Sequence, residues 1–154
     1  MALWSLARLE SGKPIDKLLE NGYSTISLGY IGLYECVVAL IGQTHTSKEG
    51  NELATKIMER LRSACDSWKE ETGLGFGLYG TPAESTTYTF ARALKKRFGI
   101  VEGITDKDYL TNSYHVNVKE HIDAFDKLQV EAKFQKVSSG GASVMLKSLI
   151  CQKI

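Results

Sequence analysis

Residues 75–99 read GFGLYGTPAESTTYTFARALKKRFG, an apolar, glycine-spaced run that passes through a hydroxyl-rich turn into an amphipathic pattern. Leu74, Phe76, Leu78 and Tyr79 give the bulk of a short buried strand, while Gly75, Gly77 and Gly80 leave room for a backbone or a ligand to come close. Thr81-Pro82 turns the chain, because proline presets its own φ and biases the preceding residue away from the helical region, so a helix is expected from Ala83. Ser85, Thr86 and Thr87 fall in its first turn. The backbone N–H groups of a helix start, the positive end of its dipole and these hydroxyls then converge where the strand ends, an arrangement suited to a phosphate. The same residues also suit a plain strand, turn and capped helix. In α/β folds, ligands collect beyond the carboxyl ends of strands, which is where this turn falls.

Immediately upstream lies the longest helical pattern in the chain, with Ser47 as its N-cap, an end near Thr72 and Gly73 placed to close it. Leu53, Ile57, Leu61, Ala64, Cys65 and Trp68 mark one face, and the other is charged. At ~1.5 Å per residue such a helix crosses a small domain, and it is also a possible homodimer contact. Further back, residues 23–28 favour a strand ended or bent by Gly29, and Tyr30 to Ile41 is apolar nearly all round, predicting a helix buried on more than one side. Glu35 is the one charged residue between Asn21 and Gln43. If buried it needs a basic partner, a set of donors or a raised pKa, either as a functional acid or as an anchor for a neighbouring loop. Two short helices, over 2–10 and 15–20, are expected before it.

Downstream, Phe90, Ala91, Leu94 and Phe98 are expected to face the core, and Gly99 to end the helix. The basic cluster Lys95-Lys96-Arg97 suits the negative end of the helix dipole. Thr105 to Asp108 suits a cap or surface turn. Residues 109–118, YLTNSYHVNV, put Asn112, Ser113 and His115 within four positions; Tyr114, Val116 and Val118 alternate as one strand face, with His115 and Asn117 on the other. A last helix is expected from Lys119 to about Gln135 with Ile122, Phe125, Leu128 and Ala132 on its buried face, followed by a flexible break at Ser138-Ser139-Gly140-Gly141. Two or three strands among these helices give α/β architecture with parallel strands, too few for a complete sheet, so another chain or a larger protein is expected to extend it.

Bulk composition is that of one ordinary globular domain: 43% hydrophobic, 24% charged, net charge +1, which argues against nucleic acid or an anionic membrane as partner. Cys36, Cys65 and Cys151 form no CxxC or CxH pair, so no metal site follows from spacing, and they are expected to be reduced thiols of a cytoplasmic protein. The apolar run from Ile31 to Ile41 is too short to span a bilayer, and no leader pattern opens the sequence.

GYSTISLGYIGLYE (22–35), the 75–99 stretch, GITDKDYLTNSYHVNV (103–118) and FQKVSSGGA (134–142), in that order, resemble the anaerobic, oxygen-sensitive ribonucleoside-triphosphate reductases, the class III enzymes of the glycyl-radical group. The resemblance implies a helix-rich, partial segment of a ten-stranded α/β barrel, with residues 1–142 belonging to the barrel. It implies a dimeric oxidoreductase that makes deoxyribonucleotides by radical chemistry, with a glycyl radical, structural zinc and formate as reductant. It also implies that Thr81, Ser85, Thr86 and Thr87 receive the substrate phosphates, with Glu35, Asn112, Ser113 and His115 as pocket-wall candidates. The family's thiyl cysteine lies on a loop upstream of this region, its glycyl-radical segment and paired zinc cysteines lie beyond it, and no catalytic residue is assigned here. A fragment without catalytic competence, binding nucleotide weakly, is therefore expected. From Ala142 the chain reads ASVMLKSLICQKI where the family continues into a tyrosine-containing strand, so 143–154 reads as an aberrant, frameshifted tail. The rival expectation is a non-enzymatic module that self-associates through the 47–72 helix and keeps a vestigial phosphate turn; a third is a stand-alone nucleotide-binding regulator.

Overall fold

The structure is a computed structural model and describes residues 12, 18–20, 24–80 and 82–141. The helix expected over 2–10, most of that over 15–20, Thr81, Cys151 and the 143–154 tail lie outside the described residues. Six elements follow in order: β1 (Thr25–Gly29), α1 (Leu33–Ile41), α2 (Lys48–Thr72), β2 (Gly75–Tyr79), α3 (Glu84–Phe98) and α4 (Ala124–Val137). The two strands pair in parallel, Thr25 opposite Gly75 through Gly29 opposite Tyr79, so α1 and α2 together form the crossover between them. Gly75 is where the strands need a bare Cα, since a Cβ there would lie 2.8 Å from the Ser24 carbonyl oxygen.

The long helix has the predicted ends. Ser47 Oγ accepts from the Gly50 N–H at 3.1 Å, and Gly73 closes the last turn at φ 71° with its N–H on the Lys69 carbonyl. Its deepest residues are Ala54, Met58 and Cys65, fully buried with Leu33, Val37, Leu78, Tyr114 and Phe134 in one core. Trp68, expected on that face, is exposed and packs against Phe76 with the rings tilted by 57° and their centroids 5.6 Å apart.

Four expectations change. The apolar helix is shorter than its sequence pattern and is buried only over its first two turns; Leu40 and Ile41 are exposed at its end. In α3 the buried stripe runs through Thr87 and Ala91, leaving Phe90 and Phe98 52% and 61% exposed. The last helix starts at Ala124, where Asp123 accepts from the Phe125 and Asp126 N–H groups. It buries Glu131 and Phe134 rather than the Phe125, Leu128, Ala132 face, because the carboxylate finds partners inside while Phe125 finds none.

The fourth change concerns the Ser138–Gly141 stretch, which is bound to the sheet. Ser139 donates its N–H to the Leu78 carbonyl (2.7 Å), the Gly80 N–H reaches the Gly140 carbonyl (3.1 Å), and Gly140 bridges Tyr79 in parallel. The chain thus takes the third-strand position beside β2. Glycine is required at 141, where φ is 71° and a Cβ would come within 2.6 Å of the Tyr79 ring.

Candidate functional site

The carboxyl ends of β1 and β2 point at one segment, residues 111–117, which is deeply buried and has no regular secondary structure beyond an isolated antiparallel bridge from Asn112 to Ile31. The alternating strand expected there does not form: Val118 is 75% exposed while Asn117 is buried beside Val116. A buried segment without a ladder must satisfy its backbone by other means. Gly32 and Leu33, at the start of α1, donate to the carbonyls of Thr111 (2.8 Å) and Ser113 (3.3 Å). Glu35 Oε1 accepts from the N–H and hydroxyl of Thr111, at 3.0 and 2.8 Å. His45 Nε2 pairs with the Tyr114 carbonyl at 3.0 Å, and Glu131 Oε1 accepts from the Val116 N–H at 3.0 Å. Three side chains from three parts of the chain thus suspend the segment, and Ser113 is held at φ 43°, a conformation rare outside glycine.

The electrostatics follow from these contacts. Glu35 is balanced by Lys107, whose ammonium pairs with Oε1 and also lies over the Tyr34 and Tyr109 rings at 5.1 and 5.2 Å. Glu35 is therefore the anchor of the loop and not one of the residues lining the cavities beside it. His45, fully buried, donates through Nε2 and has a bare, unpartnered Nδ1; desolvation holds its pKa below the ordinary 6.5, so the ring is neutral. Glu131 has its pKa lowered although its burial alone would raise it, because His115 (Nδ1 at 3.3 Å), the Val116 N–H and Lys127 (3.7 Å) stabilise the carboxylate. Burial raises the thiols of Cys36 and Cys65, the direction opposite to activation.

At the turn, the Ala83 N–H reaches Asn112 Oδ1 at 3.4 Å, so the start of α3 is tied to the suspended segment. Thr86 and Ala83 share a cavity of about 420 Å³ with Tyr30 and Leu110 at the end of β1. Thr87 is buried and faces a second cavity of about 250 Å³, together with Asn112 and His115. Ser85 is exposed, and Ser113 packs under Gly80, where a Cβ would be 3.7 Å from its Oγ. The structure thus brings Thr86, Thr87, Asn112 and His115 around one helix start and sets Glu35 behind them. His45 and Glu131 were absent from the sequence-based site: the first stands in a polar loop sequence and the second among the many charges of α4. Among the described residues no group of three or more His, Cys, Asp or Glu could hold a metal. None of the described helices is long and apolar enough to cross a membrane.

The model of the family described as anaerobic ribonucleoside-triphosphate reductase matches residues 2–147. The anaerobic ribonucleoside-triphosphate reductase of Escherichia coli (strain K12) is 43% identical over 137 residues, 87% of this chain and 19% of the relative. That of Enterobacteria phage T4 is 36% identical over 134 residues, 87% of this chain and 21% of the relative. The chain thus spans about a fifth of the length of these curated relatives. Among solved structures, the anaerobic ribonucleotide reductase of Thermotoga maritima with citrate in the active site superposes with a TM-score of 0.64 at 21% identity, over 75% of this chain and 21% of that one. A second structure of it, with MES in the active site, also gives 0.64.

Proposed function

The chain belongs to the anaerobic ribonucleoside-triphosphate reductase family, of which it is a helix-rich α/β fragment, and from that premise we propose that its first task is to seat the triphosphate of a ribonucleotide at the start of α3. The observation that carries this reading is the open helix start itself. It lies beyond the carboxyl ends of two parallel strands, beside a cavity of about 420 Å³ walled by Thr86 and Ala83. Such a helix start offers N–H groups and the positive end of its dipole to an anion, with Thr86 on the cavity wall and Ser85 exposed beside it. The tie from Asn112 to the Ala83 N–H fixes the turn before the ligand arrives.

In this reading the 154 residues bind and orient, and the radical chemistry of the family is carried by other parts of the reductase, in a cytoplasmic setting that suits its nucleotide substrates. Neither Cys36 nor Cys65 is given a catalytic role. Self-association through α2 has less support, because its apolar face is already packed on β2, α1 and α4, and its outer face carries the exposed Arg62–Asp66 pair. Equilibrium dialysis with CTP tests the proposal: Thr86→Val should weaken binding roughly three- to tenfold, the scale of one lost hydrogen bond. A folded chain that retains no CTP at millimolar concentration overturns it.

A further inference from the structure

The second cavity, of about 250 Å³, has a feature that phosphate binding does not use. His115 lines it, with Nδ1 3.3 Å from the Glu131 carboxylate, within ion-pair reach but outside hydrogen-bond geometry, and with no hydrogen bond at Nε2 among the described residues. Glu131 is fully buried, is held by the Val116 N–H, and faces Lys127 at 3.7 Å. A ring nitrogen beside a carboxylate is the one favoured to carry the proton, and in that tautomer Nε2 is the acceptor. Lys127 also lines this cavity, and its ammonium is offset by the buried Glu131 carboxylate behind it, 3.7 Å away. What fits there is a neutral hydroxyl that donates.

Thr87, on the cavity wall, is the neighbour of Thr86 on the wall of the first cavity, and Leu110 contributes to both. A ligand with phosphates at the start of α3 therefore has its next part, the sugar, within reach of His115. We infer that His115, oriented by Glu131, accepts a hydrogen bond from a sugar hydroxyl of the nucleotide and so separates a nucleotide from a bare polyphosphate. Glu131 is a positioning residue in this account. The inference rests on the phosphate seat proposed above.

The test compares CTP with inorganic tripolyphosphate on the 154-residue chain, following the histidine ring nitrogens by NMR. The expected results are a bare Nε2 in the unliganded chain, an Nε2 resonance that moves with CTP but not with tripolyphosphate, and CTP binding about tenfold tighter. His115→Gln should remove most of that advantage and leave tripolyphosphate affinity unchanged; Glu131→Gln should do the same and also shift the tautomer. Tripolyphosphate binding with an Nε2 signal unmoved by CTP overturns the inference and leaves the phosphate seat standing. So does a His115→Gln chain in which both ligands weaken equally. Binding of neither ligand to the folded chain overturns both readings.

Discussion

At Tyr114 the backbone carbonyl takes its hydrogen bond from His45, and the cost of that arrangement is a buried imidazole whose burial disfavours a second proton. The folded pKa lies below the ordinary 6.5, so the unfolded chain binds more protons as pH falls through that value. The stability contributed by neutral His45 is complete above about pH 6.5 and is lost as pH drops toward the folded value, whereas Glu131, lowered from 4.5, acts only in more acid solution. The urea midpoint should therefore fall between pH 7.5 and 5.5, and His45→Gln should flatten that fall; an unchanged slope in the variant would refute the assignment. Glu35 is tested by removal of its charge. Glu35→Ala leaves Lys107, whose side chain is 7% exposed, without its partner and should cost roughly 3–5 kcal/mol in chemical denaturation. The double change Glu35→Leu with Lys107→Met should recover part of this but not all, since the Thr111 N–H still loses its acceptor. Glu35 was legible in the sequence because it is a lone charge in an apolar run. Glu131 was not, because α4 carries charges throughout and burial of one of them is decided by partners from residues 115 and 116.

Among the elements, α2 was read almost to the residue, because cap, period and terminal glycine agree over 25 positions. Its first turn supplies a discriminating test. Ser47→Ala should cost about 1 kcal/mol through loss of the cap. Gly50→Ala gains about 1 kcal/mol in helix propensity, yet a Cβ at Gly50 would sit 1.9 Å from the Thr44 carbonyl oxygen, so the turn that carries His45 must move. The prediction is a net loss larger than that of Ser47→Ala, measured by thermal unfolding; a stabilised Gly50→Ala chain would contradict it. The 111–117 segment was misread for a physical reason. Tyr114 and Val116 alternate as in a strand, but no neighbouring strand lies alongside, and the side chains of Glu35, His45 and Glu131 take the place of a ladder. Such long-range substitution leaves no local pattern in the sequence. The buried face of α4 was missed likewise, since an apolar stripe through Phe125 and Leu128 predicts a core that the described residues do not supply.

For the whole molecule, the parallel pair β1–β2 with Gly140 beside β2 is a piece of a larger sheet, and Phe90, Phe98, Ile100, Val118 and Phe125 stand open to solvent. Both features agree with a chain that spans about a fifth of its curated relatives. The α/β class, the crossover and the position of the turn at the strand ends were legible because glycine, proline and caps punctuate them; which apolar faces stay exposed was not, since that depends on what surrounds the segment. The central claim is that these residues seat a polyphosphate at the start of α3. The direct measurement is an amide chemical-shift titration of the 154-residue chain with inorganic tripolyphosphate. The account predicts saturable shifts at Ser85, Thr86 and Thr87 in the millimolar range or below, with the outer face of α2 unmoved. Shifts centred instead on the basic cluster Lys95, Lys96 and Arg97 at the other end of α3, or a folded chain in which no amide of the first turn responds, would contradict it.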